Sequence, residues 1–95
     1  MYNNIKNYLG QVSILSAVKN AVVKRFEQIC SEHGIAKNEL ANISGVTPST
    51  VYSLFKEERQ NVSITTIKIL CDGLGITLGE FFSTPEFDNL EQEIQ

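Results

Sequence analysis

The side chains best equipped for chemistry crowd into residues 36–61 of this 95-residue chain. Cations and short hydrogen-bonding groups interleave there: Lys37, Asn38, Thr47, Ser49, Thr50, Tyr52, Ser53, Lys56, Arg59, Gln60 and Asn61. Lysine and arginine neutralise phosphates, and hydroxyls, amides and a phenol meet polar edges by hydrogen bonding. That is the chemistry of binding. Bond-breaking machinery is not legible. The sole histidine, His33, precedes Gly34 at a helix end, where the helix dipole favours a charged imidazole, so capping is its expected role. It has no evident nucleophile to serve. Cys30 and Cys71 lie far apart, without the paired spacing and histidines of a zinc site. They are expected to be reduced, buried small hydrophobes. We therefore expect no catalytic residue, metal or cofactor, and no enzyme.

These side chains must be positioned by helices. Val18, Val22, Phe26, Ile29 and Cys30 recur at steps of three and four, making one apolar stripe that ends at Gly34, with Lys19, Lys24 and Arg25 off it. A second helix is predicted over residues 37–44, with Leu40, Ala41 and Ile43 inward and Gly45 as its stop. A third runs over residues 48–56: Thr47 suits an N-cap and Pro48 the first helical position, where its missing N–H costs nothing. Val51, Leu54 and Phe55 turn inward; Ser49, Tyr52, Ser53, Lys56 and, in part, Thr50 turn outward. Ser63 opens a fourth helix with the stripe Ile64, Ile67, Leu70, Cys71 and Leu74, closed by Gly75. Thr77 and Glu80 form a capping box before Phe81 and Phe82. Only Val12 to Leu15 reads ambiguously as strand.

Two short helices joined by three or four residues around a glycine cross steeply. Such a pair can lay its first helix across a DNA backbone and its second in the major groove. At this point the sequence resembles the phage-repressor or Cro-type helix-turn-helix family. The resemblance is carried by Glu39-Leu40-Ala41, Gly45-Val46-Thr47 and Ser49-Thr50-Val51, then by Ser63-Ile64-Thr65-Thr66-Ile67 and the run from Leu74 to Phe82. It covers residues 21–82. It implies that Lys37, Asn38, Arg59, Gln60 and Asn61 grip phosphates and that Pro48, Ser49, Tyr52 and Ser53 read bases. Lys56 suits either job, and Thr47 and Thr50 join the DNA-contacting set. Tyr52 either meets the duplex or lies half-packed with a wet hydroxyl. Lys37 stands where the family often has glutamine, and Ala36 where it has a Ser/Thr cap, a change costing about 1 kcal/mol. Pro48 and Ser49 replace longer base-reading side chains, so direct readout is expected to be modest, with DNA shape and water supplying the rest.

Composition frames this reading. Eleven acidic residues against eight basic give −3, but Glu86, Asp88, Glu91 and Glu93 lie in the last eleven positions. Without them eight basic residues face seven acidic ones, or +1, so net charge neither supports nor excludes nucleic acid. No run approaches the ~20 apolar residues needed to cross a bilayer, and no secretory leader is evident; a cytoplasmic location is expected. The expected architecture is all-α: a compact five-helix repressor-like bundle containing a helix-turn-helix, with an extra N-terminal segment. Its parts are an amphipathic extension (residues 1–16), the DNA-binding domain (17–84) and an acidic tail (85–95). In the extension Tyr2, Ile5, Leu9 and Val12 recur at helical spacing; in the tail Phe87, Leu90 and Ile94 allow a docking helix or a loose end. The expected function is a sequence-specific regulator, a repressor in the family's manner, bound as a homodimer to a near-palindromic duplex. The alternative is a protein–protein interaction module that kept the fold and lost DNA.

Overall fold

Three of the helices end in the same way, and those endings set how the chain turns back on itself. At the first turn of the motif, the amides of Gly45 and Val46 donate to the carbonyls of Asn42 and Ala41, at 3.2 and 3.1 Å. This is a Schellman ending, which needs a left-handed residue; Gly45 supplies it at φ 70°. The residue just past each such glycine (Ile35, Val46 and Ile76) packs against the core. Each stop therefore also aims the following segment inward.

The computed structural model describes the backbone of residues 2–56 and 61–91, and the side chains of 17–56 and 61–91. Among these it contains six helices and no strand: α1 Tyr2–His33, α2 Lys37–Ser44, α3 Pro48–Leu54, α4 Ile64–Leu74, α5 Leu78–Phe82 and α6 Pro85–Asp88. The architecture is all-α, as expected. Residues 12–15, ambiguous in sequence, are helical, and α1 runs unbroken through both the extension and the first core stripe. α6 falls where docking helix and loose end were both open; Phe87 sits 4.9 Å from Phe82 and 6.0 Å from Phe81, ring to ring.

One core joins the elements. Phe26, Leu40, Ala41, Val51, Leu70, Cys71 and Phe81 are fully buried at its centre. The Phe26 and Phe81 rings lie 4.5 Å apart, tying α1 to α5. Arg25 strengthens that join: its Nε donates to the Phe81 carbonyl at 2.7 Å and its Nη2 to the Glu80 carbonyl at 2.9 Å. Both carbonyls lie in the last turn of α5, where Glu80 otherwise accepts only the long 3.4 Å bond from the Ser83 amide. The capping box of α5 is complete, with the Thr77 hydroxyl accepting from the Glu80 amide and the Glu80 carboxylate accepting from the Thr77 amide, both at 3.0 Å.

The structure corrects four details. Ile43 and Ile64, assigned to inward stripes, are 43% and 57% exposed. A helix of eight residues buries a narrower face than three apolar positions fill, and Leu40 and Ala41 already occupy it; Ile64 sits at the first turn of α4, ahead of the contact. Lys19, placed off the stripe, is buried, and its ammonium donates to the Lys56 carbonyl at 2.8 Å. A long aliphatic stem can line a core while its head serves a backbone acceptor. Finally, α3 stops at Leu54, with Phe55 as its C-cap and Lys56 just beyond.

Candidate nucleic-acid interface

α3 is positioned by its buried residues. Val51 and Leu54 are locked in the core, and Phe55 and Val46 pack at its edge. With that face fixed, Pro48, Ser49 and Tyr52 must face outward, and all three are exposed. Tyr52 is 45% accessible, an amphipathic ring left open beside hydroxyls. Ser53 and Thr50 are half-buried on the flank of the same helix.

At the head of α3, Thr47 does not cap through its side chain as a threonine there is expected to. Its hydroxyl instead lies 3.0 Å from both Ser49 Oγ and Thr50 Oγ1. The three hydroxyls thus form a small exposed cluster, and Pro48 removes one of the amides that would otherwise have competed for them. Such a cluster can donate and accept, as a duplex edge requires.

On the α2 side, Asn38 is exposed and Lys37 half-buried. The Lys37 ammonium lies 4.3 Å above the Phe55 ring centre, a cation–π contact that ties the start of α2 to the end of α3. On the far side, Thr50, Ser53 and Leu54 of α3 face Asn61, Ser63 and Thr66 across an open groove of about 300 Å³. Ser63 caps α4, accepting from the Thr65 amide at 3.1 Å. The structure thus gathers Pro48, Ser49, Thr50, Tyr52 and Ser53 on one helix, with Thr47 at its head and Asn61 across the groove. Lys37, Asn38 and Lys56 flank it. Arg59 and Gln60 lie outside the described residues, as do Glu57 and Glu58. Ser63 and Thr66, which the sequence reading did not single out for contact, line the same groove, a place visible only once α4 is packed beside α3. No described helix is long and apolar enough to cross a membrane, and no described cluster of His, Cys, Asp or Glu could hold a metal.

Residues 25–86 match the Cro/C1-type helix-turn-helix DNA-binding domain, from the last third of α1 into α6. The chain belongs to the Cro/C1-type helix-turn-helix family. Within it, the chain is similar to the HTH-type transcriptional regulator PuuR of Escherichia coli (strain K12), with 33% identity over 63 residues. The PuuR of Shigella flexneri gives the same figures. The match takes in 66% of this chain but 34% of either regulator, so it spans about a third of the relatives' length. Among solved structures, the prophage Lp1 protein 11 superposes with a TM-score of 0.68 at 27% identity, over 75% of this chain and 93% of that one. The Cro/C1-type family is one of DNA-binding regulators, not of enzymes.

Proposed function

We propose that this protein is a sequence-specific transcriptional regulator, a repressor, that binds double-stranded DNA with α3 in the major groove. It acts in the cytoplasm as a homodimer on a near-palindromic operator, whose half-sites lie about one helical turn, ~34 Å, apart. The observation that carries the reading is the face of α3. A short helix fixed by Val51 and Leu54 leaves Ser49 and Tyr52 outward in a Cro/C1-type domain. Ser49, Tyr52, Ser53 and Pro48 read bases and groove shape; Lys37, Asn38, Lys56, Arg59, Gln60 and Asn61 hold phosphates, with Thr47 and Thr50 supporting the helix head. Bound at a promoter, the dimer excludes polymerase.

The test is a fluorescence titration against genomic fragments at low salt, followed by the inverted repeat it selects. The double substitution Ser49→Ala with Tyr52→Ala is expected to flatten sequence preference and leave the helical signal intact. Undiminished operator discrimination would discredit this reading face. The net charge of −3 favours a second reading, a module for protein partners that no longer binds DNA. Failure of wild-type protein to bind any fragment would favour it.

A further inference from the structure

A seven-residue helix is too short to persist on its own, and α3 spans only Pro48–Leu54, so its setting comes from what it touches. Its middle is seated by Val51 and Leu54, both buried. Its head is open: Thr47 gives no side-chain cap, and the hydroxyls there are exposed. What fixes the tail therefore decides how the outward face is presented. Two lysines meet at that tail. Lys37 rests on the Phe55 ring, and Lys19 reaches the Lys56 carbonyl from α1.

Lys19 is 4% exposed, a cation kept inside the body. Burying an ammonium is costly unless it meets strong acceptors. A carbonyl just past a helix C-terminus is one, because it lies at the negative end of the helix dipole. Lys19 shares a face of α1 with Val22 and Phe26, three and seven residues on, and both of those are anchored in the core. Its root is therefore as rigid as α1 itself. The main chain of Lys56 is held at both of its polar groups: its amide donates to the Ser53 carbonyl at 3.3 Å, and its carbonyl accepts from Lys19 at 2.8 Å. Lys56 is exposed, so these two bonds set the direction in which its side chain leaves the body. Lys19 stands upstream of the matched domain, which begins at residue 25, so the brace is supplied from outside the matched body.

We propose that Lys19 is a positioning residue for DNA recognition: from inside the body it sets the pitch of α3 and the aim of Lys56 without touching the duplex. This rests on the reading of α3 as the recognition helix. Without the ammonium, the end of α3 and the main chain of Lys56 relax together. The turn that relaxes carries Tyr52 and Ser53, whose carbonyls accept from the amides of Phe55 and Lys56. Phosphate contacts fix register on the duplex and base contacts read sequence within that register. A loosened joint between Lys56 and Tyr52 therefore costs affinity and discrimination at once.

The test titrates the full chain, at several salt concentrations, against the duplex it selects from genomic fragments and against an unselected one, with thermal melts to establish folding. Lys19→Met keeps the aliphatic stem and removes the donor. It is expected to lower affinity for the selected duplex by about tenfold, to shrink the ratio of selected to unselected affinity, and to lower the slope of log affinity against log salt by about one. Lys19→Met combined with Lys56→Ala should lower the slope no further than Lys56→Ala alone, because both act through one phosphate contact. Lys19→Arg, which keeps a charged donor, should restore ratio and slope. Arg25→Met is the control, since it removes one charge and the same kind of brace from the end of α5. It should lower the melting temperature and leave ratio and slope as in wild type. A folded Lys19→Met with wild-type ratio and slope overturns the proposal and leaves the DNA reading standing. So does an equal loss in Arg25→Met, which would make the effect one of general stability. If Lys19→Met and Lys19→Gln both fail to fold, Lys19 holds the whole body rather than the setting of α3, and the proposal falls. Wild type that binds no fragment removes both readings.

Discussion

Lys37 is held in place before any ligand arrives, because its ammonium rests on the Phe55 ring at the C-cap of α3. A cation so fixed loses less freedom on meeting a phosphate than a lysine swinging in solvent. It also has two jobs, and they separate experimentally. Lys37→Ala is expected to weaken binding to all DNA sequences alike and to lower the slope of log affinity against log salt by about one. It should cost ~0.5–1 kcal/mol of stability as well, the ordinary worth of an accessible cation–π pair. Titrations at several salt concentrations measure the first effect, and a slope equal to that of wild type would remove Lys37 from the phosphate contacts. Tyr52 has no comparable anchor; its role rests on exposure and position alone, which is why it belongs in the double substitution with Ser49.

Between elements, α4 approaches α2 closely enough to leave no room for a side chain at Gly73. A Cβ built on Gly73 would stand 2.9 Å from Ser44 Cα, closer than real side chains come to backbone. Alanine normally gains ~0.5–1 kcal/mol over glycine within a helix, but overpacking a fitted contact costs ~1–3 kcal/mol. The clash is with main chain and wins, so Gly73→Ala should lower the melting temperature. Gly79→Ala on α5, where the nearest atom is 3.8 Å away, should hold or raise it. A rise for both in thermal melts would show that α2 and α4 are not close-packed there. This contact also shows what the sequence could and could not reveal. Periodicity and punctuation located α2, the head of α3, α4 and α5, because Gly45, Pro48, Gly75 and the Thr77–Glu80 box act locally. Gly73 went unremarked in the α4 pattern, because which helix it meets is a tertiary fact. The buried lysine at position 19 was unreadable for the same reason: its acceptor, the Lys56 carbonyl, is 37 residues away. So was the outward turn of Ile43 and Ile64, since a helix pattern ranks positions by face but not by how wide a face its neighbours cover. The outward face of α3 was legible because Val51 and Leu54 fix it from within.

For the molecule as a whole, the acidity suggested by composition is distributed rather than global. Glu86, on α6, lies 3.9 Å from Lys24 of α1, so part of the C-terminal charge is set against α1, on an element other than α3. At the centre of the body sits Cys71, fully buried, with burial as the main cause and the neighbouring Asp72 carboxylate as a second raising its thiol from 9.0 to about 11, against smaller opposing effects of Lys68 and Arg25. Burial raises Cys30 too. Both thiols keep their protons in the native state when the unfolded chain has begun to lose them. The folded form then binds more protons than the unfolded one, and stability falls as pH rises. The contribution is fully present below pH 9.0 and is lost as pH climbs toward about 11. Urea midpoints should therefore drop between pH 8.5 and 10.5 by more in wild type than in a Cys71→Ala variant. Cys71→Ala begins from a lower midpoint because it leaves a small cavity, so the quantity that decides is the change with pH. An equal drop in the two proteins would place the alkaline sensitivity elsewhere, with the lysines as the next candidates.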